Sequence, residues 1–79
     1  MEAEAELIKY IAENLVNDPA KVTIETRKKG RNVIIELNVA PEDMGRVIGK
    51  SGRVANAMRA LLRAADHSNG RNRIILEIE

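Results

Sequence analysis

Two glycines three residues apart, Gly49 and Gly52, cut a helical pattern in two. Before them Met44, Val47 and Ile48 recur at helical spacing. After them Val54, Met58, Leu61, Leu62 and Ala65 form a second apolar stripe, expected to run to about His67. Arg53, Asn56, Arg59 and Arg63 share a polar face of that second helix. The segment is therefore a short helix, a loop and a longer helix. Pro41 suits the first helical position, and Glu42 and Asp43 suit the positive end of the helix dipole. Ser68-Asn69-Gly70 offers the closing cap.

The flanking segments supply the layer such a unit packs on. Residues 3–17 predict an amphipathic helix, with Leu7, Ile8, Ile11 and Leu15 on one face and Glu2, Glu6, Lys9 and Glu13 on the other. Tyr10 is expected at the edge of the stripe, ring buried and hydroxyl wet. Asn17-Asp18-Pro19 ends the helix, because a residue before proline is biased out of the helical region. Residues 21–28 and 32–40 alternate as strands, Val22, Ile24 and Thr26 in the first, Val33, Ile35, Leu37 and Val39 in the second. The turn between them holds Gly30, and the hairpin tip carries Arg27, Lys28, Lys29 and Arg31. A last strand over 72–78 sets Ile74, Leu76 and Ile78 on one face. The order helix, strand, strand, short helix, helix, strand predicts one α+β domain over residues 1–79, a three-stranded sheet with helices on one face.

Composition narrows the function. A chain of 79 residues has no room for a two-domain enzyme cleft. It has no Cys, which removes disulfides, thiolate metal sites and cysteine nucleophiles, and one His, which removes a multi-histidine metal site. With one Tyr and neither Phe nor Trp, bases have no aromatic platform to stack on. No apolar run approaches the length of a membrane span, and the start Met1-Glu2-Ala3-Glu4-Ala5-Glu6 is acidic where a secretory signal is basic. A cytoplasmic protein with no cofactor is the expectation. The net charge of +1 hides a split: residues 1–26 carry −4 and residues 44–79 carry +4. A domain so divided can turn a basic surface to a polyanion, although mixed charge also serves plain solubility.

The loop Gly49-Lys50-Ser51-Gly52 carries the chemistry. Glycine lets an anion approach the backbone without a side-chain clash. The helix beginning after Gly52 presents unpaired N–H groups and the positive end of its dipole. Lys50 adds a mobile charge and Ser51 a hydroxyl donor. A nucleotide-binding P-loop does not fit: Gly45 to Gly49 encloses three residues where that motif has four, and a helix precedes the glycines where a strand is needed.

A nucleic-acid backbone fits better. The stretch Ile48-Gly49-Lys50-Ser51-Gly52-Arg53-Val54-Ala55 resembles the K-homology (KH) signature Ile-Gly-x-x-Gly-x-x-Ile. The element order matches the type II KH fold (α-β-β-α-α-β) along essentially the whole chain. The lead-in Ala40-Pro41-Glu42-Asp43-Met44-Gly45 and the start Leu7-Ile8-Lys9-Tyr10-Ile11 look like the small bacterial KhpA family. The resemblance implies an RNA-binding protein, an RNA chaperone or regulator and not an enzyme. Its groove would take about four nucleotides of single strand, with Gly49, Lys50, Ser51 and Gly52 clamping the backbone. Arg46 and Arg53 flank that clamp as candidate phosphate contacts. Ile48 and Val54 either line the groove or pack the core, and the core is the commoner use of such residues. Arg27, Lys28, Lys29 and Arg31 would flank the groove, or serve only as a charged hairpin tip. The resemblance also implies self-association, or association with a second KH-containing protein like KhpB.

The remaining polar residues have plainer readings. Arg59 and Arg63 extend a basic surface or are simply solvated, and His67 suits a helix C-terminus. Glu42 and Asp43 are helix-start charges and not a catalytic pair. Two other functions stay open at this point: a protein-interaction or dimerisation module with the KH fold, and a single-stranded DNA binder.

Overall fold

The computed structural model describes residues 2–65 and 72–79, so His67, the expected cap at Ser68-Asn69-Gly70 and the helix end near His67 lie outside the described residues. The elements follow the predicted order: α1 (Glu2–Leu15), β1 (Thr23–Lys29), β2 (Asn32–Asn38), α2 (Met44–Ile48), α3 (Arg53–Ala64) and β3 (Arg73–Ile78). Single 3₁₀ turns at Pro19–Lys21, Pro41–Asp43 and Lys50–Gly52 join them.

The sheet order is β1-β2-β3. β1 and β2 run antiparallel, from Thr23 opposite Asn38 to Lys29 opposite Asn32. That register leaves Gly30 and Arg31 as a two-residue loop, and Gly30 takes φ +60, as the first loop position of a type II′ hairpin requires. β2 and β3 run parallel, Asn32 beside Arg73 and Leu37 beside Ile78. A parallel pair needs a long crossover, and the segment carrying α2 and α3 supplies it.

The strand pattern held where it was densest. Val33, Ile35 and Leu37 are buried along β2, and Leu76 is buried on β3 with Ile74 and Ile78 packed beside it. Against them lie Ile8 and Ala12 of α1, Val47 of α2, and Met58 and Leu62 of α3. Fully burying one such branched side chain contributes about 1.5–3 kcal/mol. Glu36 and Glu77 alternate with these residues and so point to the other, open face of the sheet.

The helix faces are turned from the predicted stripes. The buried arc of α1 is Glu4, Ala5, Ile8 and Ala12, centred on Ile8. Tyr10 lies about 200° round the helix from Ile8, and it is 67% exposed, so its ring is not buried as expected. Leu15 and Leu61 are exposed too, and Ala55 takes the place expected for Leu61. Small residues let a short helix lie close to the sheet, which leaves the leucines on the flanks. α1 stops at Leu15, two residues early, and Val22 is buried just outside β1.

Asp43 explains how the first helix is tied down. It is 2% exposed, and its carboxylate accepts the N–H of Asn17 at Oδ1 and of Asp18 at Oδ2, both at 3.1 Å. The chain leaving α1 is thus fastened to the chain entering α2, a role beyond the helix-start charge expected of it.

Candidate functional site

α2 ends at Ile48, and the N–H of Gly49 donates to the carbonyl of Gly45 at 2.9 Å. Gly49 then takes φ 77, ψ 172, a region essentially reserved for glycine. A Cβ there would stand 2.5 Å from Val54 Cγ2 and 2.9 Å from the Val54 nitrogen. The first turn of α3 therefore packs directly on this backbone. Gly52 N–H closes the loop onto the Gly49 carbonyl at 3.2 Å.

The tip is left-handed at two successive residues, Ser51 at φ 58, ψ 27 and Gly52 at φ 74, ψ 15. Among the described residues Ser51 is the only non-glycine with positive φ. This geometry turns the Lys50 and Ser51 side chains outward, and both are exposed. Gly52 is the N-cap of α3 and makes no side-chain cap, so the helix start is left to backbone and solvent. The first turn of α3 holds no acid, and Arg53 opens it, exposed. Cationic side chains, a hydroxyl and a helix start thus converge on one short loop, an arrangement that attracts an anion.

Arg46 lies on α2, its Nε 3.2 Å from Asp43 Oδ1 at the start of that helix and half of its side chain exposed. Ile48 is at the surface, 36% exposed, while Val54 is half-buried against the core and Gly49. Of the two aliphatic residues of the motif, Val54 packs against the core and Ile48 is left at the surface.

The hairpin residues sit elsewhere. Arg27 lies on the open sheet face, its Nη2 3.0 Å from Glu36 Oε2 and 3.4 Å from Glu77 Oε1. The helices cover the opposite face, so the structure does not bring Arg27 to the Gly49–Gly52 loop. Lys28, Lys29 and Arg31 are exposed at the hairpin end.

Sequence reasoning gave too little weight to Asn56 and Arg59. Arg59 Nη1 donates to Asn56 Oδ1 at 3.2 Å, and Nη2 donates to the Leu76 carbonyl at 3.3 Å. The i,i+3 spacing hints at the first bond. The second joins α3 to β3 across seventeen residues and has no signal in the sequence. Among the described residues no group of His, Cys, Asp or Glu is placed to hold a metal ion, and no helix is long and apolar enough to cross a membrane.

The model of the family described as KhpA/KhpB, KH domain, matches residues 5–78. The chain is 49% identical over 73 residues to the RNA-binding protein KhpA of Caldanaerobacter subterraneus subsp. tengcongensis, covering 92% of this chain and 96% of that protein. It is 50% identical over 76 residues to the RNA-binding protein KhpA of Treponema pallidum, covering 95% and 92%. Among solved structures it is similar to Era in complex with MgGDPNP and nucleotides 1506–1542 of 16S ribosomal RNA, with a TM-score of 0.62 at 17% identity. That match covers 95% of this chain and 28% of the other. A point variant of Aquifex aeolicus Era bound to GDP·AlF4⁻ gives a TM-score of 0.63, also at 17% identity, over 96% of this chain and 29% of that one. At such identity the likeness shows the shared fold and nothing of activity.

Proposed function

The chain belongs to the KhpA/KhpB family of KH domains, and from that membership we propose that it binds single-stranded RNA by clamping about four nucleotides of backbone in the Gly49–Gly52 loop. The observation that carries this reading is the loop's backbone. Gly49 has no space for a Cβ, Ser51 and Gly52 are left-handed, and Lys50 and Ser51 stand out from it. Lys50, Arg53 and Arg46 would neutralise phosphates, and Ile48 would lie against a base. Relatives at 49% and 50% identity are named RNA-binding proteins, which supports RNA as the polyanion.

The activity is binding and not catalysis, in the manner of an RNA chaperone or regulator in the cytoplasm. One clamp of this size gives weak affinity, on the order of micromolar. Pairing with a second copy, or with a KhpB-like KH protein, would raise avidity with no new chemistry. The family description, which joins KhpA and KhpB, supports that second partner. Lys28, Lys29 and Arg31 would add long-range attraction, Arg27 less so, since two carboxylates hold it on the open face.

The test replaces Lys50 and Ser51 together with Asp. Asp tolerates the left-handed region better than most residues, so Ser51→Asp spares the loop's shape. Fluorescence anisotropy with short unstructured RNA should show at least tenfold weaker binding. For three to four phosphates on a single strand, the wild-type slope of log K against log salt should be about −2 to −3. Unchanged affinity in a folded variant would overturn the clamp. Binding of single-stranded DNA and not RNA would overturn the substrate.

A further inference from the structure

Asp43 occupies the N-cap of α2, where an aspartate ordinarily accepts the first N–H groups of its own helix. Here the side chain makes no such bond. The carboxylate, 3% exposed, is turned instead to three other groups. Oδ1 accepts the N–H of Asn17 and Oδ2 that of Asp18, and Oδ1 also lies 3.2 Å from Arg46 Nε. The two backbone bonds account for fastening the end of α1 to the start of α2. The ion pair with Arg46 adds nothing to that fastening, and it falls on a residue in the last turn of α2. The chain passes from there into the clamp, whose first N–H, that of Gly49, donates to the Gly45 carbonyl at 2.9 Å.

The atoms of the pair matter. Nε is the guanidinium nitrogen nearest the stem and carries one of its five N–H donors. A carboxylate held against Nε leaves the two Nη groups, with the other four donors, at the outer end of a half-exposed side chain. Asp43 is itself fixed, by burial and by its two backbone bonds. Arg46 is therefore tethered at its stem to an immobile group, with its fork left for a phosphate. An exposed arginine without a tether loses rotamer freedom when it binds, and that loss is subtracted from affinity.

We propose that Asp43 is a positioning residue for the RNA clamp: it holds Arg46 so that the outer edge of the guanidinium is presented to a backbone phosphate before RNA arrives. The proposal rests on the clamp reading above. Asp43 acts through Arg46 and touches no RNA itself. Its own charge is buried and taken up by two N–H groups and a guanidinium, which shields it from the incoming phosphate.

The experiment measures binding of short unstructured RNA by Asp43→Asn, Arg46→Ala and the double variant, each well below its melting temperature. Asp43→Asn keeps the size and an acceptor oxygen and removes the charge that holds Arg46. It should weaken binding about fivefold in the wild-type background and less than about twofold in the Arg46→Ala background, while lowering the melting temperature in both. Arg46→Ala alone should reduce the slope of log K against log salt by about 0.7, as for one phosphate on a single strand. An equal loss of affinity in both backgrounds would mean that Asp43 acts through the fold, and would overturn the proposal. Unchanged or tighter binding by Asp43→Asn would overturn it too. NMR relaxation of the Arg46 Nε–H tests the tether in the RNA-free wild type, with no variant to fold. Its order parameter should stay above about 0.6, and a lower value would mean that Arg46 is not held. If Arg46→Ala binds like wild type while the Lys50 and Ser51 double variant binds weakly, the assignment of Asp43 falls and the clamp stands. If wild type binds no RNA, the clamp falls and this assignment with it.

Discussion

Gly49 and Gly52 are equivalent in the motif and unequal in the structure. Gly49 combines a backbone region reserved for glycine with a Cβ position 2.9 Å from the Val54 nitrogen, a backbone atom that cannot swing aside. Gly52 needs only a left-handed φ of +74, and its nearest neighbour is 3.8 Å away. Gly52→Ala should cost about 1–2 kcal/mol, or about 4–8 °C in melting temperature per kcal/mol for a domain of this size. Gly49→Ala adds overpacking to strain and should cost about 3 kcal/mol or more. Thermal melts of the two variants would rank them, and a Gly52→Ala loss as large as that of Gly49→Ala would refute the distinction. Asp43→Ala should cost about 2–4 kcal/mol, because it leaves the Asn17 and Asp18 N–H groups without their acceptor. The glycine spacing was legible in the sequence because a backbone demand selects a residue type locally. The inequality of the pair and the reach of Asp43 to residues 17 and 18 were not legible, since both depend on atoms brought near by tertiary packing.

At the scale of elements, β2 was the most legible piece. Strict alternation of Val33, Ile35 and Leu37 fixes a buried face with no freedom of phase, because a strand has only two faces. A helix can rotate by tens of degrees while keeping an apolar stripe inward, and that freedom is where the reading of α1 and α3 slipped. Packing chose Ala5 and Ala12 over Leu15, and Ala55 over Leu61, as the residues facing the sheet. The neighbours Leu61 and Leu62 measure this phase. Leu62 is 2% exposed and Leu61 is 46% exposed. Leu62→Ala should destabilise by about 2–5 kcal/mol in urea unfolding, and Leu61→Ala by less than about 1 kcal/mol. The reverse order would mean that α3 is rotated towards the stripe the sequence predicts.

At the scale of the whole molecule, the sheet sets a small cluster of charges on its open face apart from the basic loop. The basic loop lies with the helices, and the open face carries Arg27 between Glu36 and Glu77, with Glu79 beside them. Glu36 is the main cause that holds the Glu79 carboxyl above its ordinary value of 4.5; lost hydration, a side-chain hydrogen bond to Glu36 and the charge of Glu77 add to it, and Arg27 opposes them. In the unfolded chain these acids separate, so the folded state binds protons more tightly at this position. Its contribution to stability is therefore fully present at low pH and is lost as pH rises from about 4.5 through the raised value. Glu79→Gln removes the group that resists ionisation. It should raise the melting temperature at pH 7, change it little below pH 4, and flatten the pH dependence between. The patch is solvent-exposed, so the gain should shrink in molar salt, where the Debye length falls to about 3 Å. RNA affinity should not change, because the clamp is on the helical side of the sheet. A Glu79→Gln protein that melts lower at pH 7, or binds RNA differently at physiological salt, would show that the open face and the clamp do not act separately.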